Sequence, residues 1–304
     1  TFPTMLPHAI LRKQGTIGKD DVTVAEMIGA AGRDTAIVSD DGGVLGQMGL
    51  LRGFAHKKML KDDADAVASQ SVATIDAMAG RPFFLLSYFI GPHSPYLSHP
   101  DVPAFGAEFV DRYDHEIASV DRAIGVLLDR LDQPDLRDRV VVAEMSDHGE
   151  AFGEHGTYYH GHNLHEENVR VPLIIAAPGA APRRLGAEPE SLIDVVPTLL
   201  ALARAPIPPR LRGHELSRQL FTGEEPAGRH VFLESHFTGY GVDLAYQAAV
   251  VTRDHKLIED SGSRTFALYD LWAAPGEHQD LADEDADTVL TLRRALSVFQ
   301  SYGR

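Results

Sequence analysis

Val140 to Gly156 reads VVVAEMSDHGEAFGEHG. Val140 to Met145 is an apolar run of strand length, and Ser146-Asp147-His148-Gly149-Glu150 follows it directly. The junction matters because ligands of open α/β sheets bind outside the carboxyl ends of the strands. An adjacent Asp and His can reach one cation if the backbone turns sharply, and Gly149 permits such a turn. The competing interpretation is that Ser146 or Asp147 caps a helix and the histidines line a surface loop. Five histidines (His148, His155, His160, His162 and His165) fall in this region, one third of the chain's 15, and that density favours a metal or anion site.

The same arrangement recurs upstream. Phe83 to Ile90 is a second apolar run, and Gly91-Pro92-His93-Ser94-Pro95-Tyr96 follows it, with two prolines restricting the turn that carries His93. Asp34 to Ser39 and Val171 to Ala177 complete a set of four predicted buried strands. Val24 to Ala31, Asp62 to Met78 and Glu108 to Leu131 place apolar residues at helical spacing, with Gly32 and Gly80 as C-caps and Asp20 and Asp21 as expected caps of the first. Asp194 to Ala203 predicts a further helix, with Asp194 as N-cap and Pro197 in the first turn. Strands alternating with helices predict an α/β fold, a mostly parallel sheet sandwiched by helices. After Gly223 the rhythm changes. Val231 to Glu234, Tyr246 to Thr252, His255 to Glu259 and Phe266 to Leu271 are closely spaced strand candidates, and a helix follows from about Asp285. A main α/β domain over 1–223 and a C-terminal α+β subdomain over 224–304, a small antiparallel sheet plus helix, are therefore expected.

Composition narrows the function. With 28 Lys and Arg against 44 Asp and Glu, the formal charge of -16 disfavours nucleic acid and anionic membrane as partners. An anionic small-molecule substrate would need a local cation, from a metal or from clustered His, Lys and Arg. The absence of cysteine removes disulfides, thiolate metal sites and a cysteine-derived nucleophile from these residues. No apolar run approaches the roughly 18 residues of a membrane span, and Thr1 to Gly15 lacks the pattern of a signal peptide. Neither Asn163 nor Asn168 sits in an N-x-Ser/Thr acceptor. Compartment, cytoplasmic or periplasmic, and oligomeric state are left open.

Six stretches, PFFLLSYFIGPHSPY (82–96), RYDHEIASVDRAIGVLLDRL (112–131), VVVAEMSDHGEAFGEHG (140–156), LHEENVRVPLIIAAPG (164–179), LIDVVPTLLAL (192–202) and LYDLWAAPGEHQDLA (268–282), resemble in order and spacing the successive blocks of the sulfatase family of the alkaline phosphatase superfamily. VTVAEMIGAAGRDTAIVSDD (22–41) resembles the helix and strand that follow that family's nucleophile segment. The resemblance implies metal-dependent hydrolysis of sulfate esters with one divalent ion, Ca or Mg first and Mn or Zn compatible with the imidazole. It maps Asp147 and His148 onto metal ligands and His93 onto a contact to the sulfate or leaving-group oxygen. His160, with His162 as close competitor, maps onto the cation that assists the departing alcohol, and Arg170 is expected to be structural.

Two departures accompany the likeness. The family's early Asp pair and its C-x-P-S-R or S-x-P-S-R motif, source of the formylglycine nucleophile, are not found in these 304 residues. The expectation is an N-terminally truncated chain, inactive alone, in which Thr4-Met5-Leu6-Pro7-His8 is a shortened likeness of the stretch after the nucleophile. A second alignment likens Thr1-Phe2-Pro3 to the T-F-P nucleophile turn of nucleotide pyrophosphatases. The alternatives are thus a phosphomonoester, phosphodiester or phosphonate hydrolase of the same superfamily, or a catalytically inactive fragment. Frequent Ala, Arg, Asp and Gly fit a bacterial source.

Overall fold

The computed structural model describes residues 17–302 apart from 42, 62, 79, 187, 237, 240, 241, 244 and 245. The readings placed on Thr1-Phe2-Pro3 and Thr4 to His8 lie outside the described residues. The first half runs α1 (Val24–Ala30), β1 (Asp34–Ser39), α2 (Val44–Gln47), β2 (His56–Met59), α3 (Ala64–Met78), β3 (Phe83–Tyr88) and α4 (Phe109–Leu131). Then come β4 (Val142–Met145), β5 (Ala151–Phe152), β6 (Tyr158–Tyr159), α5 (Glu166–Val169), β7 (Leu173–Ala176), α6 (Val195–Leu202) and α7 (Ser217–Thr222). The last part comprises β8 (Val231–Ser235), β9 (Thr238–Gly239), β10 (Val242–Asp243), β11 (Gln247–Val251), β12 (His255–Asp260), β13 (Thr265–Asp270) and α8 (Ala286–Tyr302).

β1 lies between β2 and β3 and is parallel to both, with Ala36 opposite His56 and Leu85. Helices cover both faces. Ile37, with Phe84, Leu86 and Tyr88 of β3 beside it, packs on Ala25 of α1 and Leu45 of α2. On the other face Ser87 hydrogen-bonds Ser71 of α3 at 2.8 Å, and α3 packs on α4 through Ala68, Ala123 and Leu127. Alternate residues of β3 thus meet different helical layers, as the two-residue strand period dictates.

Three expectations need correction. Thr23, not Asp20 or Asp21, caps α1: its hydroxyl accepts from the Glu26 amide while the Glu26 side chain accepts from the Thr23 amide. Asp21 instead accepts the Gly18 amide. Asp194 does not cap α6 with its side chain. A short 3₁₀ turn, Leu192–Asp194, intervenes, and the buried Asp194 carboxylate binds the Ser191 and His214 amides and Arg229. Finally, β4 and β7 are not buried runs. They pair antiparallel, Ala143 opposite Ile175, and half of their residues are exposed. Unbroken apolar sequence resembles a strand covered on both faces, but Met145 and Ile174 point to solvent.

The C-terminal sheet has the antiparallel order β13-β12-β11-β8. α8 covers one face, where Leu292 and Leu296 meet Ala248, Val250, Leu257 and Leu268. The other face receives Leu164 and Val169, which pack on Ala249, Ile258 and Tyr269. The segment that follows β6 is therefore held between the two halves of the chain. Among the described residues no helix is long and apolar enough to cross a membrane.

Candidate active site

The carboxyl ends of β1, β3 and β4 meet. β1 is followed by Asp40 and Asp41, both buried: Asp40 accepts the Ile90 and Asp63 amides, and Asp41 accepts those of Gly43 and Leu45. β3 ends in Tyr88, whose hydroxyl lies near Asp147, just after β4. Burial, and then the nearby charges of Asp147, Asp41 and Asp40, push the Tyr88 phenol well above its ordinary range.

No helix follows Ser146, so the capping alternative does not hold; its hydroxyl bonds the His148 carbonyl at 2.6 Å. Gly149 makes the turn possible in a specific way. Its amide donates to the Asn168 carbonyl at 2.8 Å, and a Cβ there would lie 2.1 Å from the Glu167 carbonyl oxygen. His148 donates from Nδ1 to the Gly149 carbonyl at 2.8 Å, leaving Nε2 as a lone-pair donor 3.8 Å from Asp147. His93 likewise donates from Nδ1 to the Ser94 carbonyl at 2.7 Å and keeps Nε2 available.

His160 stands between these two. Its ring stacks on His148 at 3.8 Å and meets His93 edge-on at 5.5 Å. Its Nδ1 donates to Glu150 at 3.0 Å, and the other oxygen of that carboxylate accepts the Tyr96 hydroxyl at 2.8 Å. Burial first, then the neighbouring His148 and His93, lower the His160 pKa against the opposing pull of Glu150. Tyr96 is pushed up by burial and by its bond to Glu150. Its ring packs among Phe109, Tyr113 and Phe152, so an aromatic wall backs the carboxylate.

Of the residues singled out in the sequence, His93, Asp147, His148 and His160 come together. His162, half-buried, follows two positions later, and Arg170 is exposed with Glu166 at 4.0 Å. Glu150, Tyr96 and Tyr88 had no assigned role in the sequence, though all three stand inside the stretches that carry the site. The one available signal was alternation: Glu150 is two positions after His148 and one before the short strand β5.

Asp147, His148 and His160 are among the residues lining a cleft of about 1900 Å³ that includes residues of β7 and β8. That volume exceeds the few hundred to about 1,000 Å³ of an enclosed small-molecule pocket, so the histidines line an open groove. A divalent cation fits the donor chemistry of the Asp147 carboxylate and the unengaged His148 Nε2. Among the described residues no group of three or more such side chains is placed to hold an ion by itself.

A family profile described as Sulfatase matches residues 27–205, and one described as N-sulphoglucosamine sulphohydrolase, C-terminal, matches residues 153–300. Arylsulfatase K of Gallus gallus is 29% identical over 191 residues, 61% of this chain and 36% of that protein. Choline-sulfatase of Rhizobium meliloti is 41% identical over 91 residues, 30% of this chain and 17% of that protein. The chain thus spans about a third or less of the length of these relatives. Among solved structures, one determined with its substrate D-glucosamine-2-N,6-O-disulfate superposes with a TM-score of 0.77 at 18% identity, covering 95% of this chain and 84% of that one. The phosphonate monoester hydrolase of Silicibacter pomeroyi gives 0.75 at 18% identity, covering 98% and 82%. These two likenesses establish a shared fold.

Proposed function

Because the chain belongs to the sulfatase family, we propose that it hydrolyses sulfate esters and supplies the metal-facing and leaving-group side of the site. The observation that carries this reading is the placement of His160, stacked on His148, edge-on to His93 and anchored from behind by Glu150. Asp147 and His148 would hold one divalent ion, for which calcium or magnesium suits the carboxylate and manganese or zinc the imidazole. When bound, that ion neutralises charge on the non-bridging ester oxygens.

The side chains divide the remaining work. His93 and His160 offer ring nitrogens as hydrogen-bond partners to the ester, and donors in a partly desolvated site stabilise the charge that develops as the S–O bond breaks. With Nδ1 held by Glu150, His160 in its protonated form presents Nε2–H to the departing alkoxide, and its lowered pKa makes it the readier to pass that proton on. No nucleophile is assigned to these residues, which contain no cysteine and no S-x-P-S-R motif. The alcohol portion is tested with aryl esters, in keeping with the arylsulfatase relatives.

The test is a series of aryl sulfates with phenols of graded acidity, hydrolysed by the gene product that bears these residues. His160→Ala is expected to slow esters of poor leaving groups by about 10²-fold or more and to spare good ones. Asp147→Ala is expected to abolish turnover of all of them together with calorimetric metal binding. Equal losses across the series in His160→Ala would remove the proton-donor role, and a steeper series in His162→Ala would transfer it there. Preference for phosphonate monoesters over sulfates would overturn the substrate assignment.

A further inference from the structure

A second ionic cluster lies behind the loop that carries His160. Lys256, on β12, is fully buried. An unpaired ammonium there would be prohibitively costly. It is met by two carboxylates, Glu166 at 2.7 Å and Glu277 at 2.9 Å. The other Glu277 oxygen accepts the Glu166 amide at 2.7 Å and Nδ1–H of His165 at 3.2 Å. The Glu277 main-chain carbonyl faces Nε2 of His155 at 3.1 Å, and Nδ1 of His155 faces Glu167 at 2.9 Å. Both ring nitrogens of His155 therefore meet groups that only accept, which calls for the imidazolium.

The arrangement has a direction. His155 and His165 precede and follow His160 in the chain, and their rings stack on each other at 3.7 Å, within 1° of parallel. Glu277 thus closes the base of the loop at both ends. His155 and Glu277 both adopt positive φ, 47° and 52°, a conformation L-residues rarely take unless surrounding contacts impose it. Two further ties reach the loop from the same sheet: Ser235 of β8 donates to the Gly161 carbonyl at 3.1 Å, and Leu164 packs on Ile258 and Tyr269. Simple docking of two layers would need only the apolar contacts. A buried Lys–Glu pair aimed at both ends of one loop fixes a specific geometry.

We propose that Lys256 and Glu277 are positioning residues for the leaving-group histidine, closing the His155–His165 loop so that His160 is held against His148 and His93. The inference rests on the sulfate-ester assignment and on the role given there to His160. It places a determinant of the chemistry in the C-terminal sheet, outside every residue that touches the ester.

The test uses the same aryl sulfate series in the same gene product. The variant is Lys256→Met combined with Glu277→Met, which removes both charges at similar volume and leaves Glu166 free to hydrate. The expected result is a loss of about tenfold or more in kcat for poor leaving groups, under about threefold for good ones, with KM and bound metal unchanged. His160→Ala, measured alongside, separates the two claims. If His160→Ala steepens the leaving-group dependence and the paired variant lowers all rates equally or none, the positioning proposal is overturned and the function stands. If His160→Ala leaves the dependence flat, both fall. Should the paired variant fail to fold, His155→Gln, which loosens the Glu277 carbonyl contact together with the Glu167 bond and the His165 stack at that end of the loop, is read in the same assay, and an unchanged slope there overturns the proposal.

Discussion

Glu150 holds two groups at once, the Tyr96 hydroxyl and His160 Nδ1, so one substitution should have two separable effects. Glu150→Ala leaves a buried phenol without its acceptor, a loss of about 1–3 kcal/mol measurable by urea unfolding. It also frees the His160 ring, so kcat for poor leaving groups should fall by about tenfold or more. Combined with His160→Ala the two kinetic losses should not add, because they remove one function; additivity would show that Glu150 acts elsewhere. His155 makes a different prediction. Burial opposes its charge, but the Glu277 carbonyl and the Glu167 carboxylate outweigh that and raise its pKa above 6.5. A raised imidazole contributes stability that is fully present below the unfolded-state value and is lost as pH rises through the folded-state value. Stability measured by denaturation from pH 6 upward should therefore decline more steeply in the native sequence than in His155→Gln. Equal slopes would contradict the doubly bonded imidazolium.

At the scale of elements, the sequence was most legible where an apolar run is buried throughout or where periodicity is long. β1 matches its predicted bounds, and the 23 residues of α4 begin one residue after the predicted start, at the cap Glu108. The charged His56–Met59 strand was not predicted, because all four residues are exposed on a sheet edge and carry no apolar pattern. The short strands β5 and β6 are equally silent, since two residues cannot display a period. The same division governs the site. That His93, Asp147 and His148 come near one another was legible because each lies in the loop after a strand's carboxyl end. The bonds of Glu150 to Tyr96 and of Lys256 to Glu166 join residues distant in sequence and depend on how layers meet. α8 gives the packing test: Leu296→Ala, fully buried against the sheet, should cost about 2–5 kcal/mol. Val298→Ala on the exposed face should cost under about 0.5 kcal/mol, and similar values for both would contradict the docked geometry.

For the whole molecule, the formal charge of -16 sets a condition on function. An acidic protein repels an anionic ester at long range, so under the proposed function capture would come from the bound cation and the histidines lining the cleft. Screening by salt should therefore lower KM for a sulfate ester between low and moderate ionic strength, whereas a broadly cationic binding surface would raise it. The fold supports this concentration of function, because the parallel strands end at the site and the C-terminal sheet braces the loop facing it. The most direct measurement of the central claim is hydrolysis of a 4-nitrophenyl ester set, sulfate against phenylphosphonate, by the gene product bearing these residues and by its Asp147→Ala variant. The account predicts that sulfate is the preferred ester, that its turnover requires added divalent metal, and that Asp147→Ala abolishes it. Sulfate turnover that survives both metal chelation and Asp147→Ala, or a preference for the phosphonate, would contradict it.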